Sequence, residues 1–282
     1  MPTRCLSFIP HRGILSYLFI GIAASVFRLL DLGAFVTIDE VKFWIPRSHQ
    51  FLQALQTGTY GDIPVVGHPG VTTMWLGSVG VFLSDALFDH AILHHETYPT
   101  LLTLYRLPSA LVHIGGILVG YALLRRIAPA SVAFLAALLW ATDPFVIAFS
   151  RVLHVDALVG TFATLSLLTA CAAWSGAGGR GWRVGSLAAL SGGGAGLALL
   201  SKLPALALAP VVMMFALTMF PRPSPSPHPP PVRSLLLLLA WGGGAAVTVV
   251  ACWPVFWDTP MQAYHALRYG IESEGAQPHL WG

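Results

Sequence analysis

Apolar runs long enough, or nearly long enough, to cross a lipid bilayer recur along the whole of this chain. They lie at about 14–35, 70–88, 106–124, 131–149, 154–174, 185–200, 203–220 and 234–254. About 20 apolar residues in a helix cover the ~30 Å hydrocarbon core of a membrane. Inside that core only helices or closed barrels satisfy their own backbone hydrogen bonds. Charged residues make up 10% of the chain and apolar ones 55%, against roughly 25% charged residues in soluble domains. The sequence therefore specifies an all-α fold, a multi-pass transmembrane helical bundle.

Arg4 and Arg12 precede the first run, which Arg28 and Asp31 close. It is too long for a cleavable signal and reads as an uncleaved first span with a cytoplasmic amino terminus. The window at 70–88 decides the rest of the topology. If it spans, Arg125, Arg126, Arg180, Arg183, Arg222 and Arg233 all face outward. If it lies at the interface inside one long outer loop, about 37–104, they join Arg4 and Arg12 in the cytoplasm, as the positive-inside rule favours. The window follows His68-Pro69-Gly70, contains Ser78, Ser84 and Asp85, and runs into Asp89-His90 and His94-His95-Glu96. The expectation is about seven spans, with 70–88 a juxtamembrane or re-entrant helix. A Pro-rich cytoplasmic linker at 221–233 and an outer tail at 255–282, carrying Glu272, Glu274 and His279, complete one module over 1–282.

Several chemistries are excluded. Cys5, Cys171 and Cys252 have neither metal-ligand spacing nor a disulfide framework. A net charge of +3 without a basic stripe offers nothing to nucleic acid. The glycine clusters at 192–196 and 242–244 follow no strand, and Lys202 is not at phosphate-loop spacing. Gly192 and Gly196, like Gly116 and Gly120, stand four apart in apolar helices, a spacing that lets helices approach closely.

What remains is an acidic pair, Asp39-Glu40 in Thr37-Ile38-Asp39-Glu40, just beyond the first span. On the seven-span topology the same face collects Lys42, Arg47, His68, Arg106, Arg151, His154, Asp156, Lys202 and Arg268. A charge at a helix centre costs about 2.5–3.5 kcal/mol and less at an end, so terminal position alone does not signal function; convergence on one face does. Arg and Lys there could clamp a phosphate or diphosphate. Plainer readings stand beside this one. Asp156 suits the positive end of its helix, Arg106 and Arg151 could snorkel to headgroups, Lys202 could anchor at the interface, and His68 could be an ordinary loop histidine.

The ordered motifs resemble membrane-embedded GT-C glycosyltransferases, the dolichyl-phosphate-mannose–protein mannosyltransferases and the bacterial aminoarabinose and galacturonic acid transferases. Asp39-Glu40 is similar to their acidic motif and His68-Pro69-Gly70 to their His-Pro-Pro element. Arg106-Leu107-Pro108-Ser109-Ala110 resembles their span-opening motif, Ser150-Arg151 through Asp156 their Ser-Arg … Asp loop, and Leu200-Ser201-Lys202-Leu203-Pro204 their Thr-Lys-Gly-Pro hairpin. Gly70 and Leu203 depart from the pattern, standing where the family has proline and glycine.

The resemblance implies transfer of a hexose or pentose from a polyprenyl-phosphate donor to an acceptor hydroxyl, with inversion, at the outer, periplasmic side of a plasma (inner) membrane. The acceptor would be a lipid, glycan or protein. On that reading Asp39 is the first choice of base and Glu40 the second. Arg106, Arg151 and Lys202 hold the donor phosphate, and Arg47, His68, His154 and Asp156 contact substrate. No cofactor is required, although Asp39, Glu40, His68 and Asp156 offer oxygen and imidazole ligands to a divalent metal. It also implies further spans past Gly282, making this chain an amino-terminal portion. A transporter or flippase is the main alternative, although midplane charges and broken helices would then be expected. A non-catalytic assembly protein is the other.

Overall fold

The computed structural model describes residues 10–65, 68–90, 92, 97–175, 182–218 and 230–275. Arg4, Cys5, His94, His95, Glu96, Arg180, Arg222, His279 and most of the proline-rich linker fall outside them. Twelve helices are present among the described residues: α1 (Pro10–Leu29), α2 (Ile45–Thr57), α3 (Val71–Asp89), α4 (Tyr98–Ile127), α5 (Ala130–Thr142), α6 (Pro144–Ser150), α7 (Val155–Trp174), α8 (Trp182–Ser201), α9 (Leu208–Thr218), α10 (Pro230–Cys252), α11 (Val255–Asp258) and α12 (Pro260–Gly275). A π-helical turn, Glu40–Trp44, leads into α2, and a 3-10 turn, Leu203–Ala207, leads into α9.

Local chemistry sets the breaks. Gly58 takes φ +75° and stops α2, a conformation that costs residues with a Cβ. Asp143 accepts the Val146 N–H at 2.8 Å with Pro144 at the first helical position, so a new helix starts there. The result is a 55° bend between α5 and α6. His154 is extended and starts α7 by accepting the Asp156 N–H.

Among the described residues, five helices are long and apolar enough to cross a membrane: α3, α4, α7, α8 and Val232–Cys252 of α10. The bent pair α5–α6 would be a sixth, while Gly13–Leu29 and Leu203–Thr218 are shorter apolar helices. The protein is a multi-pass helical bundle. Small residues let its members close up. Gly192 of α8 lies against the Trp241 carbonyl of α10, and Gly244 of α10 against that of Ala189, leaving no room for a Cβ at either position. Outward faces stay apolar, as lipid contact requires; only 6% of the apolar window of α10 is buried.

Although α3 has the length and composition of a span, it meets its neighbours at their ends. Thr72 Oγ1 lies 2.7 Å from Ser201 Oγ, at the last residue of α8. Trp75 Nε1 donates to the Cys252 carbonyl, at the last residue of α10 (2.7 Å). Gly77 faces Leu153 just before α7, and Gly80 sits on the Leu104–Tyr105 backbone in the second turn of α4. A helix running alongside the bundle would reach progressively deeper residues of each partner. Instead α3 lies across one end of the bundle, with Phe51, Met74, Leu200, Trp253 and Val255 forming the apolar core beneath and around it.

Candidate active site

The end of the bundle crossed by α3 gathers the polar residues. Glu40 sits in the π-turn with no exposed side-chain surface. Arg106, just over two turns into α4, donates to it twice: Nε to Oε1 at 2.7 Å and Nη2 to Oε2 at 2.6 Å. The Leu153 N–H reaches Oε1 at 2.8 Å, and the Thr37 N–H and hydroxyl reach Oε2 at 3.0 and 2.8 Å. Arg106 Nη1 donates to the Leu32 carbonyl. Burial alone would push the Glu40 carboxyl up. The Arg106, Leu153 and Thr37 hydrogen bonds and the Arg106 charge outweigh that, and its pKa lies below the usual glutamate value.

Asp39 points the other way and stays half exposed. Its Oδ2 lies 3.5 Å from His154 Nε2. His154 Nδ1 lies 3.4 Å from Asp156 Oδ2, and Asp156 Oδ1 accepts from Lys202 Nζ at 2.7 Å. These four side chains form a continuous, partly exposed polar line from the π-turn to the α8–α9 junction.

Trp44 backs that line. Its ring meets the His154 ring edge-on at 6.2 Å between centroids, and the Arg47 guanidinium lies 5.1 Å from its ring centroid. Gly70, at φ +59°, lies under the same indole, which already fills the space a Cβ would need. The Gly70 N–H donates to the Ser201 carbonyl at 3.2 Å. Here the departure from His-Pro-Pro has a physical reason: proline is fixed near φ −65° and cannot adopt this conformation. His68, two residues earlier, is half-buried at the same edge.

The family model described as dolichyl-phosphate-mannose-protein mannosyltransferase matches residues 101–255, more than half of the chain. The chain belongs to that family. Its fold is also that of a solved relative, the S. cerevisiae protein O-mannosyltransferase Pmt1–Pmt2 complex bound to the sugar donor, with TM-score 0.67 and 18% identity. The likeness covers 92% of this chain and 35% of the yeast one, so the chain spans about a third of that relative's length. Among curated proteins none matches the sequence.

In this mannosyltransferase-family chain three of the expected site residues, Arg106, Glu40 and Arg151, are held by contacts within the protein. Arg106 is not placed to clamp a donor phosphate: it is fully buried, and its guanidinium is committed to Glu40 and Leu32. Glu40 is not placed as a base, because both oxygens are held by donors and neither is exposed. Arg151 is also diverted. It donates to the Phe27, Leu30 and Asp31 carbonyls, closing the end of α1 where Asp31 takes a positive φ of 50°. Of the three cations expected at a phosphate, Lys202 keeps a partly exposed head.

Sequence reasoning passed over Thr37, although Thr-x-x-Glu is a spacing that lets hydroxyl and carboxylate cap each other's backbone. Glu40 N–H does face Thr37 Oγ1, at 3.4 Å. The Leu32 carbonyl and Leu153 N–H carry no signal in residue identity.

Proposed function

We propose that this mannosyltransferase-family protein moves a sugar from a polyprenyl phosphate to an acceptor hydroxyl at the outer membrane surface, with inversion at the anomeric carbon. The observation that carries the reading is the divided acidic pair: Glu40 buried as a structural anion and Asp39, next to it, half exposed beside a partly exposed lysine line.

Asp39 takes the proton of the acceptor hydroxyl as its oxygen attacks the anomeric carbon. The bond from that carbon to the phosphate oxygen breaks on the opposite face, and the lipid phosphate leaves with the electron pair. One base and one displacement give inversion, by analogy with inverting carboxylate enzymes. The leaving phosphate needs charge more than a proton. Lys202 supplies it: an ammonium has three donors, and Asp156 takes one of them. Arg47 and His68 flank the entrance as substrate contacts.

The outer placement is supported by basic residues at the other end of the bundle. Arg125 and Arg126 lie in the last turn of α4, while Arg183 and Arg233 lie in the first turns of α8 and α10. The positive-inside rule assigns that end to the cytoplasm. Residues 37–104 then form the outer loop, with α3 a juxtamembrane helix and residues from Val255 onward an outer segment.

The test is a transfer assay in proteoliposomes carrying the full-length protein, with polyprenyl-phosphate mannose and peptide, glycan and lipid acceptors in separate arms. Transfer by wild type and its loss in Asp39→Asn supports the reading. Equal rates in the two proteins refute it.

A further inference from the structure

We infer that His154 is a positioning residue for Asp39; this rests on the glycosyl-transfer reading above. Three contacts define its role. The Asp156 backbone N–H points at His154 Nδ1, 3.3 Å away, which commits the lone pair on that nitrogen. The neutral ring must then carry its proton on Nε2. Nε2 faces Asp39 Oδ2 at 3.5 Å. A neutral imidazole therefore offers an N–H to one oxygen of Asp39 and leaves the other oxygen for the acceptor hydroxyl.

The ring is held in place for this. Trp44 meets it edge-on at an interplanar angle of 82°, and Phe149 of α6 lies 6.3 Å away between centroids. The ionisable groups around it are Asp39 from the π-turn, Asp156 from its own helix and, one step further, Lys202 on the other oxygen of Asp156. Neither aromatic neighbour carries charge, and Arg47 reaches the cluster only through the Trp44 ring.

The experiment compares full-length wild type, His154→Leu and His154→Gln by kcat and by KM for polyprenyl-phosphate mannose. The leucine variant should lose on the order of 10- to 100-fold in kcat, the scale of misplacing a catalytic group, with KM little changed. Glutamine, whose amide can reach Asp39, should recover most of that loss. Equal impairment of both variants overturns the inference.

A readout independent of turnover accompanies it. In ¹⁵N-histidine NMR of the full-length protein, Asp39→Asn should move the His154 ring-nitrogen signals; unchanged signals are equally fatal. Wild type that transfers normally while the variants match it defeats the His154 role alone. Wild type that transfers nothing defeats the glycosyltransferase reading, and the NMR comparison then decides the contact by itself.

Discussion

Glu40 and Arg106 meet side by side, Nε 2.7 Å from one carboxylate oxygen and Nη2 2.6 Å from the other, and neither side chain has exposed surface. The pair joins the π-turn to α4 and, through the Leu153 N–H, to the start of α7. Removing one member leaves the other as an uncompensated buried charge, at a cost of about 3–5 kcal/mol. Arg106→Met should therefore lower thermal stability in detergent sharply. The Glu40→Met, Arg106→Met double variant should lose less than the two single variants combined. Additive losses would show that the two side chains are not coupled.

The same pair fixes a pH dependence. Glu40 has a folded pKa below its ordinary value, so the folded state binds its proton less readily than the unfolded chain. Its contribution is complete above the unfolded glutamate pKa of about 4.3. It is lost as pH falls through the lower folded value. Thermal stability measured from neutral to acid pH should show this loss in wild type, and Glu40→Gln should lack it.

Asp39→Asn should reduce kcat by about 10²–10⁴-fold, the usual worth of a general base. Its stability should stay near wild type, because the side chain is half exposed. Circular dichroism melting beside the transfer assay separates the two effects. Asp39 and Glu40 thus give opposite phenotypes, one in rate and the other in folding.

Lys202→Met should lower kcat/KM for the lipid donor by about 10²–10³-fold if the ammonium stabilises the departing phosphate, the range found for lost transition-state donors. A direct binding assay with polyprenyl phosphate alone shows whether part of the loss is affinity. Unchanged donor kinetics would remove Lys202 from the site.

Gly70→Ala must place a methyl where the Trp44 ring sits and hold it at φ +59°. Both the collision and the left-handed backbone penalise it, the backbone part by roughly 1–2 kcal/mol. Trp44→Phe in the same chain removes the atoms in the way and should recover part of the lost stability. A single variant as stable as wild type would mean that the loop can move aside.

The apolar windows alone determined a membrane bundle, because a chain this poor in charge has no other solvent for its helices. The glycine spacings marked where α8 and α10 close on each other, and the acidic pair with its distant Arg, His, Asp and Lys partners marked one end of the molecule. The sequence left open which of two adjacent carboxylates is buried and which is exposed. Only the tertiary structure decided that, and it diverted Arg106 and Arg151 from phosphate to protein. The reason is physical. Besides the Glu40–Arg106 pair itself and Thr37, these groups are satisfied by main-chain donors and acceptors brought in from far along the chain: the Leu153 N–H lies 113 residues from Glu40, and the Leu30 carbonyl 121 from Arg151. Every residue type carries such groups, so packing, and not composition, selects which ones meet.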